Sequence, residues 1–170
     1  ESSYNSDLVK KANYSNFSRK FEHRLKYLGK YVLPKDFANI LPERIHLYMI
    51  QNVLDLPKNI SQNKQSYQMK PIEFRNGNIY NGCWNEKYKM DGYGQYYLKQ
   101  EQLFVEGIWD DGKLIYGRIF FPNDDIYEGH ILDSLFHGKG KLILKNGDVY
   151  EGEFSEGEKN GKGKFIFNDG

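Results

Sequence analysis

The sequence holds one cysteine and five prolines among 170 residues, and it has no long apolar run. Each shortage excludes something. Cys83 alone cannot build a disulfide framework or a cysteine-rich zinc site. No stretch approaches the roughly 18 apolar residues of a membrane-crossing helix, which argues against a transmembrane protein. No charged-then-apolar segment at the start reads as a signal peptide, and the chain opens on Glu1 rather than Met. A large excess of one charge is missing too, since 24 Lys+Arg stand against 23 Asp+Glu. Glycine is nearly absent from the first 70 residues, where only Gly29 occurs, and the other 16 follow. What is abundant is aromatic: 14 Tyr and 11 Phe, with a total aromatic content of 16%. A solvating, disordered chain is excluded on that count.

The balanced total conceals two unlike parts. Residues 1–70 carry 12 basic and 6 acidic side chains, a balance of +6, and residues 71–170 carry 12 and 17, a balance of −5. Charge and glycine change together near Pro71. The expected division is a helical extension and linker over 1–70 and a repeat region over 71–170.

The repeats define the second part. Paired glycines recur as Gly92 and Gly94, Gly138 and Gly140, and Gly161 and Gly163; in the second unit Ile115 stands in the first place before Gly117. The second glycines fall at 94, 117, 140 and 163, always 23 residues apart. A second signature precedes each pair: Tyr80, Gly82 and Trp84; Val105, Gly107 and Trp109; Tyr127, Gly129 and Ile131; Tyr150, Gly152 and Phe154. Fixed periods of this length mark repeat architectures. Side chains alternate along a strand, so Tyr150, Gly152 and Phe154 share one face while Glu151 and Glu153 share the other. Each unit therefore reads as a β-hairpin. Glycine weakens an isolated strand, and its repetition implies room for a neighbouring ring against the backbone.

This pattern, Tyr-x-Gly-x-Trp/Phe, a variable turn, then Gly-x-Gly-x-aromatic, resembles the MORN (membrane occupation and recognition nexus) repeat family over about residues 72–170. The resemblance implies a mainly β fold: an elongated single-layer antiparallel sheet of successive hairpins. Repeat 4, Tyr150–Phe167, fits best, and repeat 2 departs most.

Ahead of the repeats, Phe17, Phe21, Leu25 and Leu28 are spaced as a helical face within Tyr14–Val32, and Gly29 stands near its end. A second helical stretch over Asp36–Leu54 opens at Pro34 and is interrupted by Pro42, with Ile45, Tyr48, Met49 and Val53 as its apolar face. Residues 55–70 read as a polar linker. Pro71 to Phe74 reads as the closing strand of a half-repeat.

The sequence offers no catalytic, cofactor-binding or metal-binding constellation. Cys83 has no histidine near it in sequence and reads as structural. His130 and His137 can approach across one hairpin, but no carboxylate pair completes a metal site. The paired glycines lie inside strands and open no helix, unlike phosphate-binding loops. Asn123-Asp124-Asp125 lacks an EF-hand continuation. Nucleic-acid binding needs a basic surface with exposed rings, whereas the repeat region is net acidic.

One surface stands out. Tyr97, Phe120, Ile143 and Ile166 lie 23 residues apart on the face opposite the Tyr/Gly/Trp signature. Apolar rows on both faces of a single sheet imply that at least one is covered, by residues 17–54 or by another protein. The expected function is a non-enzymatic scaffold within a larger assembly, and the resemblance implies a cytoplasmic, cytoskeletal or ciliary setting. The alternatives are a peripheral adaptor for anionic phospholipid and the targeting domain of a larger enzyme. A fifth repeat would start near position 173, so the array is expected to continue, or a partner strand or helix to cover its last strand, and residues 72–170 alone to self-associate through that edge.

Overall fold

A computed structural model of the chain describes residues 28–32, 34–58, 60 and 66–169. Ten strands follow in one antiparallel path. They are β1 (Gly29–Tyr31), β3 (Ile72–Phe74), β4 (Ile79–Trp84), β5 (Met90–Leu98), β6 (Leu103–Asp110), β7 (Lys113–Phe120), β8 (Ile126–Leu132), β9 (Leu135–Ile143), β10 (Val149–Ser155) and β11 (Glu158–Ile166). A short β2 (Tyr67–Gln68) pairs with β4 outside that path. Two helices, α1 (Pro34–Ile40) and α2 (Glu43–Gln51), complete the described elements. The architecture is the open hairpin sheet that the repeats predict.

Because every repeat has nearly the same length, equivalent residues come into register and form rows across eight strands. One row is all glycine: Gly82, Gly94, Gly107, Gly117, Gly129, Gly140, Gly152 and Gly163 are successive partners. Beside it runs a mostly aromatic row through Tyr80, Tyr96, Val105, Ile119, Tyr127, Leu142, Tyr150 and Phe165. The tyrosine rings of this row lie back over the glycines. A Cβ on Gly94 would meet the Tyr80 ring, one on Gly140 the Tyr127 ring, and one on Gly163 the Tyr150 ring. The first glycine of a pair has another task. Gly92 (φ 92°) and Gly161 (φ 66°) adopt left-handed backbone, which side chains with a Cβ resist. In the first, third and fourth repeats the second glycine makes the room for a ring that the sequence predicts, whereas a Cβ on Gly117 would meet the Glu106 carbonyl.

Links between hairpins stack by a second device. Asn78, Asp125 and Asp148 each end an Asx turn, and each accepts a backbone N–H one repeat later: from Lys99 at 3.0 Å, Lys145 at 2.8 Å and Asn168 at 2.9 Å. Asp148→Ala removes one such tie, and a loss of about 1 kcal/mol is expected in chemical denaturation.

Three clusters fill the two sides. On the ring face, Tyr80, Trp84, Val105 and Trp109 pack with Tyr67, Met69 and Ile72, and farther along Tyr127, Ile131 and Phe154 pack together. On the opposite face, Phe37 and Leu41 from the α1 region and Ile45 of α2 pack on Ile79, Phe104 and Phe120.

The first 70 residues differ from expectation in several places. The helix expected from Tyr14 lies, as far as residue 27, outside the described residues. It does not reach Val32, because Gly29–Tyr31 pairs as β1 with Ile72–Phe74. Gly29 allows that approach; a Cβ there would collide with the Glu73 carbonyl. The second helical stretch breaks at Pro42, as the sequence suggests, with Pro42 as the N-cap of α2, but it ends at Gln51. Val53 lies beyond the helix and is exposed. Within the expected linker, Tyr67 and Met69 are buried and β2 pairs with Trp84 and Cys83. Pro71 to Phe74 supplies β3, as its pattern suggests.

Candidate functional site

The face opposite the rings carries the candidate site, and two registered rows build it. The apolar row runs Ile79, Tyr97, Phe104, Phe120, Ile126, Ile143, Val149 and Ile166 across β4 to β11. The polar row runs Asn81, Gln95, Glu106, Arg118, Glu128, Lys141, Glu151 and Lys164 across the same strands. From Glu106 onward its charges alternate in sign. Opposite charges on facing strands favour this register over a one-residue slip.

The first part of the apolar row is covered by the chain itself. Ile79, Phe104 and Phe120 are buried beneath the helices, and Tyr97 and Ile126 pack at the edge of that cluster. Val149 and Ile143 are half-exposed, and Ile166 is exposed. Of the expected interaction face, Tyr97 and Phe120 thus lie against α1 and α2, while Ile143 and Ile166 have no helix over them among the described residues.

Arg118 fastens the helices down. It is fully buried, with Glu106 and Glu128 each 3.1 Å away. Its Nη1 donates to the Asn52 carbonyl at 2.8 Å, at the C-terminal end of α2. A cation there opposes the helix dipole's negative end. The guanidinium also lies 5.1 Å from the centre of the Tyr48 ring, and Tyr48 meets Phe120 edge-on at 5.7 Å. Tyr93 donates to Glu106 at 3.1 Å. Burial raises the Glu106 carboxyl above its ordinary value, with Arg118 opposing, and burial also pushes the Tyr93 phenol up.

Sequence reasoning missed Glu106, Arg118 and Glu128 because a lone charge on a strand reads as a solvated face. A signal was available: Arg118, Lys141 and Lys164 are 23 residues apart, as are Glu128 and Glu151.

Lys141, Glu151 and Lys164 occupy the same row without such clasping. Glu151 stands opposite Lys164, as the sequence suggests, but no ion pair within 4 Å joins them among the described residues. A groove of about 520 Å³ runs here, with Pro57 and Tyr116 on one side and Lys141, Glu151 and Lys162 on its floor. A second groove, about 660 Å³, opens on the ring face between Tyr96, Trp109, Phe121 and Leu135.

His130 lines the first groove and lies 5.0 Å edge-on from the Tyr116 ring. Burial, and then the nearby His137, hold its imidazole below the ordinary 6.5. The folded chain resists a proton that the unfolded chain accepts below about pH 6.5. Stability supplied by neutral His130 is therefore present above that pH and is lost as pH falls through the folded value. The melting temperature is expected to drop more steeply between pH 7 and 5 in the wild type than in His130→Gln, as thermal scans at several pH values would show.

Other sequence candidates take structural places. Cys83 is buried, and burial pushes its thiol up to about 11, which makes it a poor nucleophile. Among the described residues no three His, Cys, Asp or Glu side chains group as metal ligands, and no helix is long and apolar enough to cross a membrane.

A single sheet of registered hairpins, presenting a ring face and a charged face, defines a repeat protein whose working parts are surfaces. The family model for the MORN repeat matches residues 127–149 and 150–170, the third and fourth repeats. Over those residues the chain is built of MORN repeats, and its first two repeats carry the same glycine row. No curated protein matches it. Among solved structures, the TCP domain of SAS-4 (dCPAP) of Drosophila melanogaster, in complex with a proline rich motif of Ana2 (dSTIL), is similar over 70% of this chain and 81% of that one. The identity is 16% and the TM-score 0.34.

Proposed function

We propose that the chain is a non-catalytic protein-interaction module whose partner binds the charged face over the third and fourth repeats. One observation carries this reading: a continuous apolar row is buried under helices at Phe104 and Phe120, only half-buried at Ile143 and Val149, and exposed at Ile166. An apolar row that loses its cover part-way along the sheet marks a place for a partner. MORN repeats serve as protein-interaction or membrane-binding modules, which is consistent with that role. A structural place in a cytoskeletal or ciliary assembly is the finer part of the proposal, resting on the family resemblance.

The membrane alternative is weaker on charge. Lys141 and Lys164 alternate with Glu128 and Glu151 along the open row, so acidic groups offset the attraction of basic ones to an anionic leaflet. A photo-crosslinking residue at Ile166, in cells that natively make the protein, tests both readings. Attachment to another protein is expected. Attachment to lipid, with pelleting of the chain on phosphatidylserine vesicles, would replace the interaction reading with the membrane one.

A further inference from the structure

The third repeat keeps, 23 residues on, the cation and the apolar pair on which α2 rests in the second. α2 follows β7 along its length. Arg44 pairs with Asp124 just beyond the strand, Tyr48 meets Phe120, and Arg118 holds the Asn52 carbonyl. The helix axis therefore runs along the strands and ends over the polar row.

Advancing 23 residues turns Arg118 into Lys141, Phe120 into Ile143, Ile126 into Val149 and Glu128 into Glu151. Lys141 stands between Glu128 and Glu151 in register, as Arg118 stands between Glu106 and Glu128. A buried cation with two acidic neighbours, beside an apolar pair, is the arrangement that receives the end of α2. In the third repeat the cation is present, and among the described residues it holds no carbonyl or carboxylate.

The spacing also fits. One repeat is two strands, a lateral step of about 9–10 Å. Packed helices lie about 8–10 Å apart. A helix moved over by one repeat would lie in contact with α2. The flank it would meet is open, with a cleft of about 220 Å³ between Arg44 and Tyr48 on α2 and Phe120 and Ile126 on the sheet.

We propose that the charged face of the third repeat receives a second α-helix, supplied by a partner protein, lying side by side with α2 and ending on Lys141. This rests on the interaction reading above and names the form of the partner. Its helix presents apolar side chains to Ile143 and Val149 and C-terminal carbonyls to Lys141, whose charge favours that end. Residues that precede Leu28 would have to cross the sheet to take the role. Leu28, where residues 1–27 join, packs in the cluster on the ring face beside β1. That is seven strand steps, about 34 Å, from β9 and on the other side of the sheet.

The test places a photo-crosslinking residue at Ile143 of the full chain, in cells that natively make it, and maps the captured segment. Support requires a segment with apolar residues at helical spacing, whose capture falls about fivefold in Lys141→Gln and returns in Lys141→Arg. Thermal unfolding of Lys141→Gln is compared with wild type, so that the loss is read at equal stability. Attachment to residues 1–27, to a second copy or to lipid overturns the proposal. So does a captured segment without helical spacing, or capture that Lys141→Gln leaves unchanged. Those protein outcomes leave the interaction reading standing, whereas no protein captured from either Ile143 or Ile166 removes both.

Discussion

Arg118→Met is expected to lower the folding free energy by about 3–5 kcal/mol, the cost of deleting one member of a buried ionic group. The side chain is fully buried, so water cannot replace it. Its removal leaves Glu106, itself buried, and Glu128 as like charges on the two neighbouring strands, and leaves the Asn52 carbonyl without its donor. Folded domains are stable by only about 5–15 kcal/mol, so such a loss is a large share of the total. Urea denaturation reads the loss, and amide exchange in α2 locates it, since the helix end is held there. The triple variant Glu106→Gln, Arg118→Met, Glu128→Gln is expected to recover most of the loss, because a neutral group leaves no charge unpaired. A loss below about 1 kcal/mol for the single variant would show that the clasp matters little and that apolar contacts alone hold the helices.

The hairpins were legible because their information is periodic, and the family resemblance implied the single sheet that joins them. Four copies of a 23-residue pattern specify strand, turn and face together, and equal lengths force equivalent residues such as Gly94 and Gly107 into register. Cover over Tyr97 and Phe120 was also readable, since apolar residues on both faces of one sheet demand it. The missed elements have no period. Tyr67–Gln68 is two residues long, and only its pairing with Cys83 and Trp84 makes it a strand. Gly29–Tyr31 is likewise set by β3 rather than by its own pattern. Glu106 and Arg118 escaped notice for a different reason: each charge is unremarkable alone, and only register makes them neighbours.

Tyr80 and Gly94 should show strong coupling, because one is shaped around the other. The Tyr80 ring is fully buried, contacts Trp84 and Trp109 edge-on, and donates its hydroxyl to the Cys83 carbonyl at 3.0 Å. Tyr80→Ala is expected to cost about 3–5 kcal/mol, like other large aromatic truncations in a core. Gly94→Ala attacks the same contact from the backbone side. The new Cβ would overlap the Tyr80 ring, which neighbouring rings hold in place, at an expected cost of about 1–3 kcal/mol. Valine already occupies the equivalent place in the second repeat, at Val105, so Tyr80→Val keeps a residue that the row accepts. In the Tyr80→Val background Gly94→Ala should cost less by about 1 kcal/mol or more, a coupling that a double-mutant cycle measures directly. The second repeat provides the contrast. A Cβ on Gly107 would meet the Tyr116 carbonyl, which is backbone, so Gly107→Ala should stay equally costly whether residue 105 is valine or alanine. Equal penalties for Gly94→Ala in both backgrounds would mean that strand approach, and not the tyrosine ring, demands glycine in this row.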